Sequence, residues 1–304
     1  MRKSVLILGS TGRFGRHVAE AFWNAGWGIR AFDRGRDDLM QAASEADVIV
    51  AGWNPPYTDW ATQMLPLHAQ IQRAAKASGA TVILPGNVYV FSADTASPWG
   101  PDTPHRATNP LGQLRVQLEQ SYRDSGVQTI VLRAGDFIDT ETSGNWLDKV
   151  ILSKLARNRL SYPGRQDAAH SWAYLPDLAQ AAVLLAEQRR ELAVFEDVAF
   201  AGYTLTGKQL TDAIAAATGR PVRTTQMAWW PLKLARPFWP MARHLLEMRY
   251  LWDLPHSLSE DRFKALCHTF RATPLDEAMA NLVDPFVIPS PRSKPMRSCT
   301  LKPT

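Results

Sequence analysis

The stretch Val5-Leu6-Ile7-Leu8-Gly9-Ser10-Thr11-Gly12-Arg13-Phe14-Gly15 governs the fold expected of this 304-residue chain. Four apolar residues lead into three glycines spaced three apart, and an apolar helical pattern follows at 17–23. The first glycine permits a tight turn, the second lets the backbone approach a diphosphate, and the third lets the helix pack on the strand. Exposed amides at the helix start hold the negative charge. We therefore predict a dinucleotide-binding turn, with contacts from Gly9, Thr11, Gly12, Arg13, Phe14 and Gly15.

Strand and helix patterns alternate outward from this turn over residues 4–190. Strands that are apolar along their whole length indicate a parallel sheet covered on both faces. The expected fold class is thus α/β, a Rossmann-like doubly wound parallel sheet with a smaller C-terminal α+β substrate-binding region. The predicted strands are 5–8, 29–32, 48–51, 81–84 and 129–132, and the predicted helices are 14–25, 37–46, 59–78 and 109–125.

The alternation ends near residue 190, where we place a domain boundary. We predict a coenzyme-binding domain over 1–190, with some substrate-side segments within 134–175, a cap over 191–288, and a disordered basic tail over 289–304. The cap is expected to contain an extended run at 196–201, a helix at 206–218, a second extended run at 221–226, and helices at 259–267 and 274–283.

Residues 228–252 are rich in aromatic side chains with basic residues between them, a composition also found in helices that lie on a membrane surface. Pro231, Pro237 and Pro240 interrupt any single long helix there, so we expect a lid packed on the main domain. No apolar run approaches the roughly 20 residues that span a bilayer. We expect no membrane partner.

The positive charge of the chain is concentrated at its end. Four basic residues and no acidic residue occur within 289–304, and they supply most of the formal charge of +5. We therefore expect no nucleic-acid partner. Cys267 and Cys299 are too few for a disulfide framework, and their spacing suits no metal site. A cytoplasmic protein without a metal is expected.

The second predicted strand ends at Asp33, eighteen residues past Gly15. An acidic group there accepts hydrogen bonds from the adenosine ribose and repels a 2′-phosphate, which favours NAD. Arg34 and Arg36 follow directly, and an arginine in this loop could instead stack on adenine or pair with that phosphate. NAD is the favoured coenzyme, and NADP is the alternative.

Further motifs follow the glycine turn in order. They are 47–52, Asn87-Val88-Tyr89 within 82–90, Leu132-Arg133-Ala134-Gly135-Asp136-Phe137, Trp172-Ala173-Tyr174-Leu175-Pro176-Asp177-Leu178-Ala179, and 259–275. In order and spacing the chain resembles the extended short-chain dehydrogenase/reductases, which include NAD-dependent nucleotide-sugar epimerases and dehydratases. The resemblance covers roughly residues 4–285.

The resemblance implies a set of site residues. Further coenzyme contacts are implied for Ala51, Gly52, Trp53 and Pro85, and substrate contacts for Asn87, Asp136, Phe137, Asn145, Trp146 and Trp172. It also implies that Asp177 caps a late helix and that the helices at 59–78 and 109–125 form a homodimer. The segment between Asp33 and Asp47 is too short for one strand of the family's usual sheet, so Asp38 is expected to contact the adenine amine instead.

The resemblance breaks at the catalytic residues. In that family a Tyr-x-x-x-Lys pair works with a serine; the tyrosine is the acid or base, and the lysine lowers its pKa and holds the nicotinamide ribose. The corresponding positions here are Leu111, Arg115 and Pro85. Leucine and proline have no titratable proton, so this relay cannot operate. Arg115 could still hold the ribose, because a guanidinium donates hydrogen bonds as an ammonium does.

Two other residues are candidates for the missing acid–base role. Tyr89 is the nearest hydroxyl by motif position, and His170 has a side chain that titrates near neutral pH. The leading hypothesis is an NAD(P)-dependent oxidoreductase or epimerase-like enzyme that transfers hydride to or from a small or nucleotide-linked substrate. The alternative is a non-catalytic dinucleotide sensor that regulates a protein partner. A third and less favoured hypothesis is a membrane-associated module that uses the aromatic stretch 228–252.

Overall fold

A six-stranded parallel sheet lies at the centre of the molecule, counted over residues 2–287, which the computed structural model describes. In spatial order its strands are β2 (Gly28–Phe32), β1 (Ser4–Leu8), β3 (Val48–Ala51), β4 (Thr81–Gly86), β5 (Thr129–Arg133) and β9 (Phe195–Ala199). Each strand predicted before residue 190 is present, with its ends within two residues. The predicted tail 289–304, with Cys299, lies outside the described residues.

Helices cover both faces of this sheet. One face carries α1 (Arg13–Asn24), α5 (Leu175–Glu187) and α10 (Asp261–Leu266), and the other carries α2 (Leu39–Ala43), α3 (Leu65–Ser78) and α4 (Pro110–Ser125). The strands are apolar along their length because both faces are buried; Val5–Leu8, for example, is at most 1% exposed. The predicted doubly wound α/β class is confirmed.

The sheet is one strand shorter beside β2 than the family resemblance implies. The segment from Asp33 to Asp47 holds only the five-residue helix α2, so β2 is the sheet edge within residues 2–287. This agrees with the expectation of a missing strand.

At the opposite edge the sheet extends beyond residue 190. Strand β9 pairs in parallel with β5, so the run that we assigned to the cap belongs to the main sheet. Its residues Glu196 and Asp197 are acidic, which is unusual in a strand that is covered on both faces. Both are in fact buried, and Asp197 forms an ion pair with Arg133 of β5.

A smaller region packs beside the carboxyl ends of the sheet strands. It contains the strands β6 (Asp136–Ile138), β7 (Arg159–Tyr162), β8 (Ala169–Tyr174), β10 (Tyr203–Thr206) and β11 (Arg223–Gln226), and the helices α6 (Gly207–Thr218), α7 (Trp230–Ala235), α8 (Pro240–Glu247), α9 (Tyr250–Asp253) and α11 (Leu275–Val287). The order β10-β8-β6 forms one sheet and β11-β7 another. None of the helices within residues 2–287 has the length and apolar character needed to cross a membrane.

Candidate coenzyme and active site

The glycine turn between β1 and α1 has the close backbone packing that its sequence predicts. Gly9 has a left-handed φ of +83°, and a Cβ there would lie 2.9 Å from the carbonyl oxygen of Gly52. A Cβ on Gly15 would collide with the carbonyl oxygen of Gly9. The turn is closed by a 2.9 Å hydrogen bond from the Gly12 amide to the same carbonyl. Side chains are therefore excluded at Gly9 and Gly15 by the protein itself.

The N-terminus of α1 has no side-chain cap. Gly12 occupies the N-cap position, and the first turn contains no acidic residue. Thr11, Gly12 and Arg13 are exposed, whereas Phe14 is buried in the core. The amides of this turn thus carry their partial positive charge toward solvent. This fits a diphosphate group.

Two cationic side chains lie close to this helix end. Arg13 donates to the carbonyl oxygens of Ser143 (2.9 Å) and Gly144 (2.7 Å). A Cβ on Gly144 would lie 3.2 Å from Nζ of Lys149 and 3.5 Å from Nη2 of Arg13. Neither cation pairs with a carboxylate within the described part of the chain. The resulting positive charge complements an anionic ligand.

The residues expected to bind the adenosine part of the coenzyme lie close together after β2 and β3. Asp33 is largely exposed, and its carboxylate accepts a 2.9 Å hydrogen bond from the Gly35 amide. The Arg34 guanidinium lies 5.5 Å from the centre of the Trp53 ring, which packs edge-on against Phe32. This end therefore offers an acceptor for a ribose and flat surfaces for a base.

Asp38 and Gly52 have structural roles at this edge. Asp38 caps α2 by accepting from the Gln41 amide at 2.8 Å, which accounts for an aspartate there without a coenzyme contact. Ala51 ends β3 and is buried. A Cβ on Gly52 would lie 2.6 Å from the carbonyl oxygen of Leu8, so this position also requires glycine.

Arg115 points into the protein interior. Its guanidinium donates to the carbonyl oxygen of Pro85 at 2.8 Å and pairs with Glu119 at 3.1 Å. The residue is 5% exposed. These contacts favour a structural role for Arg115 over the ribose contact that we expected from its position.

Arg133 forms the centre of a buried ion cluster beneath the candidate site. Its guanidinium pairs with Glu119 at 2.7 Å and Asp197 at 2.5 Å, and it donates to the carbonyl oxygen of Asn87 at 2.6 Å. Burial alone would raise the pKa of Glu119, but Arg133 and Arg115 lower it, so the carboxylate is ionised. Together with His105 the two carboxylates have metal-binding chemistry, yet Arg133 already bridges them. The cluster anchors the loop after β4.

Two tyrosine hydroxyls meet at the carboxyl end of the sheet. Tyr57 follows β3, Tyr89 follows β4, and their hydroxyl oxygens lie 2.6 Å apart. Burial, together with the charge of Asp136, raises the pKa of both phenols above its usual value, and for Tyr89 the rise is large. The Asn87 side chain accepts from the Tyr89 amide at 3.0 Å and thereby fixes the turn. At neutral pH Tyr89 is a protonated donor.

His170 and Asp136 form a hydrogen-bonded pair beside these tyrosines. Nε2 of His170 lies 2.8 Å from Oδ2 of Asp136. The imidazole is 3% exposed and stacks on Trp252 with ring centres 4.4 Å apart, whereas the Asp136 side chain is 34% exposed. The carboxylate is therefore the accessible member of the pair, and the histidine orients it.

The other predicted substrate residues lie around this pair. Trp172 is fully buried and packs near His170, and Phe137 follows Asp136 on β6. The ring of Trp146 lies 5.4 Å from Trp252, whereas Asn145 caps the helical turn after it by accepting from the Asp148 amide. The structure thus places Trp146 and Trp172 in one aromatic layer, and it gives Asn145 a turn-capping role.

Helix α8 contributes a carboxylate beside Leu111, the residue that the resemblance aligns with the family's tyrosine. Glu247 at the end of α8 accepts from the Leu111 amide at 2.7 Å and from the Asn109 side chain at 2.9 Å. Leu111 is buried. The lid predicted for 228–252 therefore reaches the main domain here, and a carboxylate from α8 caps α4.

Asp177 does not cap its helix, contrary to our prediction. The N-cap of α5 is Tyr174, and Asp177 lies within the first turn. Its carboxylate instead accepts from the amide (2.8 Å) and the hydroxyl (2.6 Å) of Thr273. The partner segment lies almost a hundred residues away, so the local sequence pattern could not reveal it.

Sequence reasoning missed four residues of this site: Tyr57, Glu119, Lys149 and Glu247. Only Tyr57 carried a usable signal, because it follows a buried parallel strand at the edge where ligands bind in such sheets. The other three sit on helices or turns whose orientation is set by packing.

Comparison with solved structures places the fold among epimerases and related enzymes. The chain is similar to WbmH of Bordetella bronchiseptica in complex with NAD+ (18% identity, 93% of this chain and 97% of that chain, TM-score 0.69). It is also similar to UDP-glucose 4-epimerase of Brucella ovis in complex with NAD (16% identity, 94% of this chain and 98% of that chain, TM-score 0.68). A third similar structure is UDP-N-acetylglucosamine 4-epimerase of Bacillus cereus (15% identity, 92% of this chain and 95% of that chain, TM-score 0.70). No family model and no curated protein matches the sequence. At these identities the likeness establishes the fold, which agrees with the resemblance drawn from the motifs.

Proposed function

We propose that the protein is an NAD-dependent oxidoreductase or epimerase-like enzyme that acts on a small or nucleotide-linked substrate without the family's tyrosine–lysine pair. The observation that carries this proposal is the uncapped, exposed start of α1 at a turn where Gly9 and Gly15 admit no side chain. Structural neighbours in complex with NAD or NAD+ support it.

The residues that would hold the coenzyme lie in a row along the carboxyl edge of the sheet. Gly12 and Arg13 would hold the diphosphate, Asp33 would accept from the adenosine ribose, and Trp53 would face the base. The exposed carboxylate of Asp33 favours NAD because it repels a 2′-phosphate. When bound, the nicotinamide ring supplies or accepts the hydride.

Tyr89 and Asp136 would then serve the substrate. Because the pKa of Tyr89 is raised far above neutrality, its hydroxyl donates a hydrogen bond to a substrate oxygen but cannot act as a base. Tyr57 holds that hydroxyl in place from 2.6 Å. The Asp136 carboxylate, oriented by His170, would accept a hydrogen bond from a substrate hydroxyl.

The first test is a titration of the purified protein with NAD, NADH, NADP and NADPH by calorimetry. We expect NAD and NADH to bind more tightly than their phosphorylated counterparts. Failure of all four nucleotides to bind would refute the proposal.

The second test uses a panel of carbonyl compounds and nucleotide sugars, with coenzyme absorbance and product analysis as readouts. Tyr89→Phe should lower turnover by about a hundred-fold or more and leave coenzyme affinity unchanged, because loss of one hydrogen-bond donor to a developing oxyanion costs about that factor. Tyr203→Phe is the matched control, since its half-buried hydroxyl donates to the carbonyl oxygen of Thr273, away from the Tyr57–Tyr89 pair. Equal loss in both variants would exclude a specific role for Tyr89.

A dinucleotide sensor is the second candidate function. Leu111 replaces the family tyrosine, and Arg115 is held by Glu119 and Pro85, so neither offers the usual chemistry. Tight coenzyme binding, no turnover on any member of the panel and a coenzyme-dependent protein partner would favour the sensor over the enzyme.

We also propose that the protein is cytoplasmic and forms a homodimer through α3 and α4. Gln72 and Ser121 already join these helices within one chain at 2.9 Å. Sizing at micromolar concentration tests the dimer, and a monomer there would refute it.

A further inference from the structure

Exposed apolar side chains are concentrated on one small surface of the cap. It is formed by α7 and the turn into α8, and we call it the 230–239 surface. Four of its side chains are large, apolar and exposed, namely Trp230 (64%), Leu234 (68%), Phe238 (90%) and Trp239 (47%). The other exposed large apolar side chains of the described residues, Trp23, Met40 and Val194, lie far apart in the sequence. Such a cluster indicates an interaction site.

Cationic side chains surround this surface. Lys233 and Arg236 alternate with its apolar residues, and Arg243 is exposed on α8. Lys233, Arg236 and Arg249 also line an open groove of about 350 Å³ with Leu246. The one acidic residue of 227–252 is Glu247, and its carboxylate is turned inward to the start of α4. Just beyond this range Asp253 pairs with Arg249 at 3.8 Å. Lys233, Arg236 and Arg243 have no carboxylate within salt-bridge distance among the described residues, so the outward face carries net positive charge.

The 230–239 surface stands on a well-anchored base. Trp229 is 5% exposed, and its indole donates to the carbonyl oxygen of Pro163 at 2.6 Å. Met248 and Leu251 join the core of the main domain. The helices that carry the exposed apolar side chains are thus anchored to the rest of the protein by buried residues.

We propose that the 230–239 surface docks the protein on an anionic lipid bilayer. Tryptophan and phenylalanine beside lysine and arginine match the boundary between acyl chains and phosphate headgroups. A second copy of this chain fits poorly, because a two-fold interface would bring two copies of this positively charged surface together. A single-stranded nucleic acid is also less favoured, because its bases stack on aromatic rings, and Leu234 has no ring.

This proposal departs from the expectation of no membrane partner, which rested on the interrupting prolines and on the lack of an apolar run long enough to span a bilayer. Docking at the interface needs no spanning helix. It needs the apolar side chains to point outward together, which the proline-interrupted sequence could not show.

The test is flotation of the full chain with vesicles of phosphatidylcholine alone and of phosphatidylcholine mixed with anionic phosphatidylglycerol. We expect binding to the anionic vesicles, weakened by salt because the cations are exposed. Replacing both Lys233 and Arg236 by glutamine should reduce the partition coefficient by about 25-fold, at roughly five-fold for each cation.

Trp230→Ser and Trp23→Ser form a matched pair, because both tryptophans are 64% exposed. Trp230→Ser and Phe238→Ser should each weaken vesicle binding by about ten-fold, whereas Trp23→Ser should leave it unchanged. Circular dichroism and the Tm confirm that each variant folds.

Three outcomes would overturn the proposal. The first is the absence of binding to anionic vesicles at low salt, and the second is an equal loss of vesicle binding in Trp230→Ser and Trp23→Ser. The third is that Phe238→Ser abolishes self-association or oligonucleotide binding but still binds vesicles as the original protein does. None of these readouts depends on coenzyme binding, so this proposal and the proposed function can fail separately.

Discussion

Replacing Gly12 by valine tests whether the start of α1 holds a diphosphate. Gly12 has φ −76° and ψ 167°, which any residue adopts without strain. A Cβ there would meet only the carbonyl oxygen of Gly9, at 3.2 Å. The variant should therefore fold, with a stability loss of about 1 kcal/mol from the poorer N-cap.

The effect on coenzyme binding should be much larger. The valine side chain would stand in front of the exposed amides and keep the diphosphate from their hydrogen-bonding distance. A hydrogen bond to a charged group contributes about 1.5–3 kcal/mol, and the loss of one or two such bonds gives about 3 kcal/mol. This corresponds to a rise in Kd of about 150-fold.

Calorimetric titration with NADH measures this change, and the Tm reports the fold. Gly28→Val is the matched control, because it makes the same substitution in β2, where the nearest atom to a Cβ is 3.6 Å away. If Gly12→Val folds and its Kd stays within about three-fold of the original and of the control, which is under 1 kcal/mol, the diphosphate is not held at this turn.

Other residues give independent predictions. Asp33→Ser should narrow or reverse the preference for NADH over NADPH in the same titration, because it removes the charge that repels a 2′-phosphate; an unchanged ratio would argue against this role. Lys149→Met should raise the Kd for NADH by about five-fold through lost charge attraction, whereas Lys154→Met, also exposed, should not. Burial lowers the pKa of His68 and of His256 to about 3, so each is neutral when folded and protonates on unfolding below about pH 6.5. The protein therefore keeps its full stability above about pH 6.5, and each histidine should lower the free energy of unfolding by about 2 kcal/mol at pH 5. In urea unfolding, the stability of His68→Gln should depend less on pH than that of the original protein. The same pH dependence in both proteins would contradict the role of His68.

Much of the architecture followed from local patterns. The stretch around Gly9 and Gly15 specifies most of its own turn, because Gly12 and Gly15 both pack on the carbonyl oxygen of Gly9, whereas Gly9 itself packs on the distant Gly52. The apolar strands likewise predicted a sheet buried on both faces, and the short segment after β2 predicted that one strand is missing. These features depend on neighbours in sequence or on burial alone.

The candidate site was predicted less completely. The motifs located Tyr89, Asp136 and His170, and the structure brings Asp136 and His170 into direct contact. The motifs did not indicate that Tyr57 would face Tyr89 across two different strand ends. They suggested a ribose contact for Arg115, whereas packing turns this side chain toward Glu119.

The sequence by itself determined the glycine turn and the parallel sheet, and it has leucine and arginine where the resemblance implies a tyrosine and a lysine, since each is a matter of residue type and short-range spacing. Only the tertiary structure decided that Arg133 joins carboxylates from α4 and β9, that Glu247 caps a helix of the other region, and that Phe238 faces solvent. The physical reason is that these contacts join residues far apart in the chain. Which side of a short, proline-bounded helix is buried depends on what packs against it.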